Sequence, residues 1–486
     1  MNRRQFLDAA ASGIIASTIS RSAWAQSPTP PQAAPLIQTL ASFVSRLRYP
    51  DIPARPLEVA RTAIMDTLGV SLAGGSEKSA RLMGRLALEE RAKQESTVYG
   101  QRFKSSALQA ALVNGTAAHA HDFDHSFIRG GQPTAPIIPA IFSLGEALAS
   151  SGQQILEAYV AGVEIVARLI IAVASAGGAG WHANNTIGVF GASAGCAKLL
   201  GLKEPEIEMA LAIAASTGSG LTVNFGTMTK PLHVGFAARN GVLSARLAQS
   251  GVTANPQVME AKNGFFDTYY QTGKPDMRVF EDLATRYALE EYGVRFKPYS
   301  CGGLTHTAIY TTIRLRQEHK ISTDSVEHVD VAVPADTAEP LVYREPKTGL
   351  EGKFSMPYLI ARALTDGNLT LDTFTDQAVR NENVRQLLQR IEMRVDPALQ
   401  AGADGSRPAA VSIRLKNGQA LTATEKFPKG SLQLPMTSEE LVAKFRACAR
   451  GVISDTSIDR ALRNIGTIDT MRSVRPLAAL LAGVSK

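Results

Sequence analysis

Gly188-Val189-Phe190-Gly191-Ala192-Ser193-Ala194-Gly195 is the stretch that sets the fold class of this chain. A glycine series of this kind can cradle a phosphate where it opens a helix. Here it lacks the Lys-Ser/Thr of a phosphate loop, and no strand with dinucleotide spacing precedes it. What remains is a helix made of Gly and Ala, which lets neighbouring backbones approach closely inside a large bundle. The run therefore predicts a core helix over Ile187 to Leu200.

Working outward from it, the segments Leu57 to Leu72, Arg81 to Ala92, Ala107 to Ala120, Ile137 to Ala149, Ile155 to Ala174 and Val234 to Ala248 all carry a helical period. Strand-like alternation is nearly absent before residue 293. After Val294 the character changes. Val326 to Val333 alternates, Ile391 to Val395 is a second strand, Val411 to Thr424 reads as a hairpin around Asn417-Gly418, and a helix over Met356 to Leu364 lies between them. Thr437-Ser438-Glu439-Glu440 fits a capping box that opens a helical tail. The expected fold is mainly α: a large all-helical domain over 36–292, a smaller α+β lid domain over 293–434, and a tail over 435–486 that returns to the helices. Lys297-Pro298-Tyr299 marks the hinge and a cleft beside it.

At 486 residues the chain exceeds what one core usually supports, which agrees with two domains. With 45% hydrophobic and 20% charged residues it is neither a disordered chain nor a membrane bundle. The formal charge of +7 comes from scattered Lys and Arg, with no basic run interleaved with aromatics, so no nucleic-acid partner is expected. Residues 1–25, with Arg3-Arg4-Gln5-Phe6-Leu7, an Ala/Ile-rich run and Ala23-Trp24-Ala25, read as a twin-arginine-type signal peptide, followed by a flexible leader over 26–35. The mature product is then expected in the periplasm, with no stable membrane association. Cys196, Cys301 and Cys448 are odd in number and widely spaced, which argues against a disulfide framework.

Chemistry concentrates in His119-Ala120-His121-Asp122-Phe123-Asp124-His125. Crowded titratable groups of this kind need a metal, a substrate or a proton-transfer task to compensate them. The metal reading fails on spacing: the His-x-His-x-Asp-His order of metallo-hydrolases is broken by one residue. His121 and His125 stand at i, i+4, but no distant carboxylate ligand can be named. Basic groups follow elsewhere. Lys230-Pro231-Leu232-His233 opens a helix, which makes an anion site. Trp181-His182 ends a Gly-rich loop, and Lys297-Pro-Tyr-Ser-Cys301-Gly-Gly-Leu-Thr-His306 lies at the domain junction. Lysines, histidines and an aspartate without a nucleophile triad or cofactor motif suit proton or carboxylate removal beside another carboxylate, through an enolate-like transition state.

Asn114-Gly-Thr-Ala-Ala-His-Ala-His-Asp122-Phe-Asp124, Thr229-Lys-Pro-Leu-His-Val-Gly235, Lys297-Pro-Tyr and Lys353-Phe-Ser-Met-Pro, with Ala63-Ile-Met-Asp66 and Lys198-Leu-Leu-Gly-Leu, resemble the MmgE/PrpD family over about residues 36–480. The resemblance implies a homodimer with a site between its domains, no metal and no cofactor. It implies Lys230 and Lys297 as holders of substrate carboxylates, Asp122 and His182 as an acid–base pair, and Cys301 or His306 as the second proton-transfer group. Ser126, Gln132 and His233 complete the expected substrate-binding set. Two departures stand out: Gln132-Pro133 replaces the family's His-Pro, and His125 replaces its usual second acid. Glutamine hydrogen-bonds a carboxylate but does not shuttle a proton near neutral pH. The first expectation is a lyase, a dehydratase or decarboxylase, acting on a small di- or tricarboxylate. An epimerase or isomerase of an amino- or imino-dicarboxylate is the second, and a periplasmic carboxylate-binding protein without turnover the third.

Overall fold

The glycine run is a helix. In a computed structural model that describes residues 34–127, 131–174, 176, 180–402 and 404–484, it spans Gly188–Leu199 and is buried along nearly its whole length. The expected signal peptide and most of the leader lie outside the described residues. In chain order the first helices are α1 (Leu36–Arg46), α2 (Ala54–Gly75), α3 (Lys78–Glu89), α4 (Ala107–Ala120), α5 (Thr134–Leu148), α6 (Gly152–Ala172), the single turn α7 (Ala183–Thr186), α8 (Gly188–Leu199), α9 (Glu204–Ala215) and α10 (Thr229–Gln249). α8 packs on α5, α6 and α10, and α10 lies along α4. The glycines set these distances. A Cβ on Gly191 would stand 2.5 Å from Val166 Cγ2 and 2.7 Å from Gly162 O, and one on Gly115 would meet Gly235 Cα at 2.9 Å.

The region before residue 293 is not free of strands. β1 (Ser96–Val98) pairs with β2 (Phe103–Ser105), and β3 (Ser126–Phe127) pairs antiparallel with β4 (Val294–Arg295). The second pair matters, because it draws the chain at the expected 292/293 boundary back against the end of α4, and Val294 joins the first apolar core. Helices α1 and α9, which were not singled out in the sequence, pack against each other at the same core.

A second apolar core gathers residues from Tyr299 to Leu421. Its sheet has the order β6-β5-β7-β8, with β5 (Val326–Val333) parallel to β6 (Ile391–Val395) and antiparallel to β7 (Ala409–Leu415), which turns through Gly418 into β8 (Ala420–Glu425). Gly418 has φ +84°, the conformation the Asn-Gly turn calls for. The helices His306–Glu318 and Met356–Asp366 cover this sheet. The capping box forms as expected: Thr437 Oγ1 accepts from Glu440 N–H at 3.2 Å, and Glu440 Oε2 accepts from Thr437 N–H at 2.7 Å. The helix it opens, Ser438–Ala449, packs on α2, with Phe445 buried against Gly69. The tail thus returns to the first core. Among the described residues, no helix is long and apolar enough to cross a membrane.

Candidate active site

The end of α4 builds the site. Its last turn carries buried His119, His121 forms the C-cap, and Asp122 follows with φ +51°. Aspartate tolerates this left-handed conformation better than bulkier residues do. The reversal leaves the Asp122 carboxylate between two buried ammonium groups. Lys297 Nζ donates to Oδ1 at 2.7 Å and to the Asp122 carbonyl at 2.9 Å, while Lys230 Nζ lies 3.0 Å from Oδ2. Burial alone pushes the Asp122 carboxyl up in pKa, but the two lysines overcome it and hold the group well below the usual carboxylate range. Asp122 and Asp124 likewise outweigh burial on Lys297 and keep it charged; Lys230, where burial wins, is the more easily deprotonated of the two. Lys230 also lies 5.3 Å from the ring centroids of both Phe225 and Phe354.

Histidines form the other wall. His182, the residue before α7, and His233, one turn after Lys230 on α10, share a hydrogen bond between their Nδ1 atoms at 3.0 Å, so one ring donates and the other accepts. Burial holds His182 well below its ordinary pKa and pushes His233 down to about 4. His119 packs on His182 with ring centroids 5.5 Å apart. Its Nδ1 lies 3.0 Å from both oxygens of Asp124, while its Nε2 is buried with no hydrogen-bond partner. Burial lowers its pKa, which makes it a neutral imidazole, oriented by Asp124, with a free acceptor nitrogen. Neither His119 nor Asp124 was among the expected site residues, since α4 packing accounts for a buried histidine equally well from sequence alone.

Gln132 is held by Asn184: its N–H donates to Asn184 Oδ1 at 2.7 Å, and Asn184 Nδ2 donates to its Oε1 at 2.6 Å. That pairing turns the Gln132 Nε2 toward Asp122 Oδ1, at 3.5 Å. His125 turns away from the cluster. Its Nδ1 meets Asp66 Oδ2 at 2.9 Å and its Nε2 meets Thr134 Oγ1 at 2.7 Å, while Lys444 Nζ pairs with Asp66 Oδ1 at 2.7 Å. His121 lies 3.6 Å from Glu77, so the i, i+4 histidine pair does not converge on one ligand site.

Cys301 and His306 both lie within electrostatic reach of Lys297. The Cys301 thiol is buried, bonds Thr305 Oγ1 at 3.4 Å and is pushed up to about 12 by burial, which leaves it a neutral thiol near pH 7. His306 Nε2 lies 3.3 Å from Cys301 O, its Nδ1 is buried without a partner, and burial with Lys297 and Arg295 nearby holds its pKa well below the ordinary value. Ser126, Gln132, Lys297, Arg295, Gly303 and Arg407 are among the residues lining a cavity of about 290 Å³.

Residues 38–278 match the model of the MmgE/PrpD N-terminal domain, and residues 299–465 match that of its C-terminal domain. The chain belongs to the MmgE/PrpD family. It is 26% identical over 463 residues to the cis-aconitate decarboxylase of Homo sapiens, an alignment that covers 93% of this chain and 95% of that protein. It is also 26% identical to the cis-aconitate decarboxylase of Aspergillus terreus (strain NIH 2624 / FGSC A1156) over 477 residues, with 91% and 95% covered. In this MmgE/PrpD chain Lys230, from the first matched region, and Lys297, from the stretch between the two, meet on one carboxylate, Asp122. Ligand atoms of His119, Asp122 and Asp124 lie within 4.8 Å of one another, the spacing a metal ion needs. Both oxygens of Asp122 are already engaged by lysines, however, and His119 Nδ1 by Asp124.

Proposed function

We propose that this MmgE/PrpD chain is a lyase for a small tricarboxylate, and that cis-aconitate losing carbon dioxide is the first reaction to test. The observation that carries the reading is the buried Asp122 carboxylate shared by Lys230 and Lys297 beside neutral histidines. The named activity of its relatives in Homo sapiens and Aspergillus terreus supports the choice of substrate.

The chemistry follows from charge. When the carboxylate on the methylene carbon of cis-aconitate leaves, its bonding pair forms a new double bond to the central carbon. The old double bond then gives its pair to a proton at its far carbon. Negative charge builds on the carboxylate next to that carbon, where Lys230 and Lys297 stabilise it. Asp122 stays ionised throughout and serves as the fixed counter-ion that aligns the two ammonium groups. His182 supplies the proton, its tautomer set by His233. A bound polyanion raises the pKa of the adjacent rings, so substrate itself loads the proton. The oriented, neutral His119 suits the reverse task of taking a proton, which a dehydration requires.

The test is proton NMR of the purified protein with cis-aconitate and a hydroxy-tricarboxylate in deuterated water. Itaconate carrying one deuterium on the carbon that was vinylic is the expected product. Loss of water from the hydroxy acid alone assigns a dehydratase. Exchange without carbon loss assigns an epimerase, and a raised melting temperature without turnover leaves a binding protein. Export and a homodimer belong to the same reading; a mature N-terminus near Gln26 and a dimer mass by light scattering check them.

A further inference from the structure

Arg295 is a buried cation without a counter-ion. It is 6% exposed and makes no ion pair among the described residues, its Nη2 donates to the Gly405 carbonyl, and its Nε is buried with no partner. A guanidinium has five donors, and burying it unpaired is unfavourable enough that such a group is ordinarily neutralised. Arg407 repels it, and Arg407 is itself paired with Asp336 at 2.9 Å. Both arginines line the same cavity as Lys297, Gln132 and Ser126. Arg295 closes β4, and Lys297 follows it two residues on. Register fixes the rest, because Arg295 pairs with Ser126 across β4 and β3, four residues from Asp122.

We infer that Arg295 is a substrate-specificity residue, the receptor for a carboxylate remote from the one held by Lys230 and Lys297, and that it selects tricarboxylates over dicarboxylates. The inference rests on the polycarboxylate reading above. A planar guanidinium with a free edge binds a carboxylate through two parallel hydrogen bonds. The cavity of about 290 Å³ is at the small end of ligand sites, the scale of a compact polyacid. With Asp122 neutralising one of the two lysines, the remaining lysine and Arg295 leave a net charge of +2 for substrate carboxylates to meet, one of them at Arg295.

The experiment compares the binding of cis-aconitate with that of citraconate, which has a methyl group where cis-aconitate has its carboxymethyl arm, by calorimetry on the full protein. The wild type should bind cis-aconitate at least about tenfold more tightly. Arg295→Met should abolish that preference, weakening cis-aconitate about tenfold or more while changing citraconate by less than about twofold. Arg295→Lys, which keeps the charge and loses the fork, should fall between. If Arg295 only tethers Gly405, Arg295→Met weakens both ligands alike or neither, and the inference is wrong. If Arg295→Met does not fold, an unchanged preference in Arg295→Lys overturns it. A wild type that binds neither acid defeats the polycarboxylate reading itself, a failure visible before any variant is made.

Discussion

The Asp122 carboxylate is the residue on which the site turns, and its two lysines are not equivalent. Lys297 is fully buried and bonds both the side chain and the carbonyl of Asp122, whereas Lys230 touches the carboxylate alone. Lys297→Met should therefore cost stability as well as ligand affinity. We expect about 3–5 kcal/mol from breaking a buried ion pair, read as the midpoint shift in urea. Lys230→Met should lose affinity for polycarboxylates with a smaller stability change; equal stability losses would refute the asymmetry. Protonation adds a second test. His119, His182, His233 and His306 all have folded pKa values below the ordinary histidine value, chiefly through burial. Their unfolded forms bind protons first as pH falls, so stability is whole above about pH 6.5 and declines below it. Asp66, Asp122 and Asp124, whose pKa values are also lowered in the fold, add their loss only below about pH 4. Scanning calorimetry of the ligand-free protein should show a melting temperature that is level above pH 7 and already falling by pH 5.5. A level profile down to pH 5 would mean that these rings are charged.

Elements show how far the sequence could be read. The Gly/Ala run gave a helix, and the structure adds what it touches. Gly162 and Gly191 face each other where α6 crosses α8, so a Cβ on either meets the other's carbonyl oxygen. Gly191→Ala should destabilise the fold by about 1–3 kcal/mol through overpacking, whereas Gly251→Ala, in an open turn with φ +88° and no neighbour within 4 Å, should be felt only through backbone strain. Denaturant melts of the two variants separate contact from conformation. The strands of the second core were legible because alternation and Asn417-Gly418 are local signals. The short pairs β1–β2 and β3–β4 were not, since two or three residues carry no period and their pairing is decided by partners far along the chain. His119 escaped for a related reason: the turn at Asp122 that brings Asp124 back to its ring is a conformation, and no spacing rule announces it.

At the scale of the molecule, the second core is flanked in sequence by two parts of the first. Residues from Leu36 to Val294 and from Phe445 to Leu481 share one apolar cluster, and residues from Tyr299 to Leu421 form another. Phe445→Ala should then be as damaging as a substitution in the first helices, about 3–5 kcal/mol. A loss under about 1 kcal/mol would show the tail to be peripheral. The Lys/His/Asp inventory of the site was legible, because those residue types are costly to bury and rare in clusters. Which of them meet was not, as Lys230 and Lys297 reach one carboxylate from segments with no periodicity in common.

The Ser438–Ala449 helix also reaches the site's underside. Lys444 pairs with Asp66, which holds His125, and donates to the carbonyl of Phe123 at 2.8 Å, so it grips the segment next to Asp122 from below. During synthesis this grip comes late. A nascent chain that has left the ribosome as far as Pro435 already carries every acid, base and cation of the pocket, yet lacks the brace beneath Asp122, which only the helix opened by Thr437 supplies.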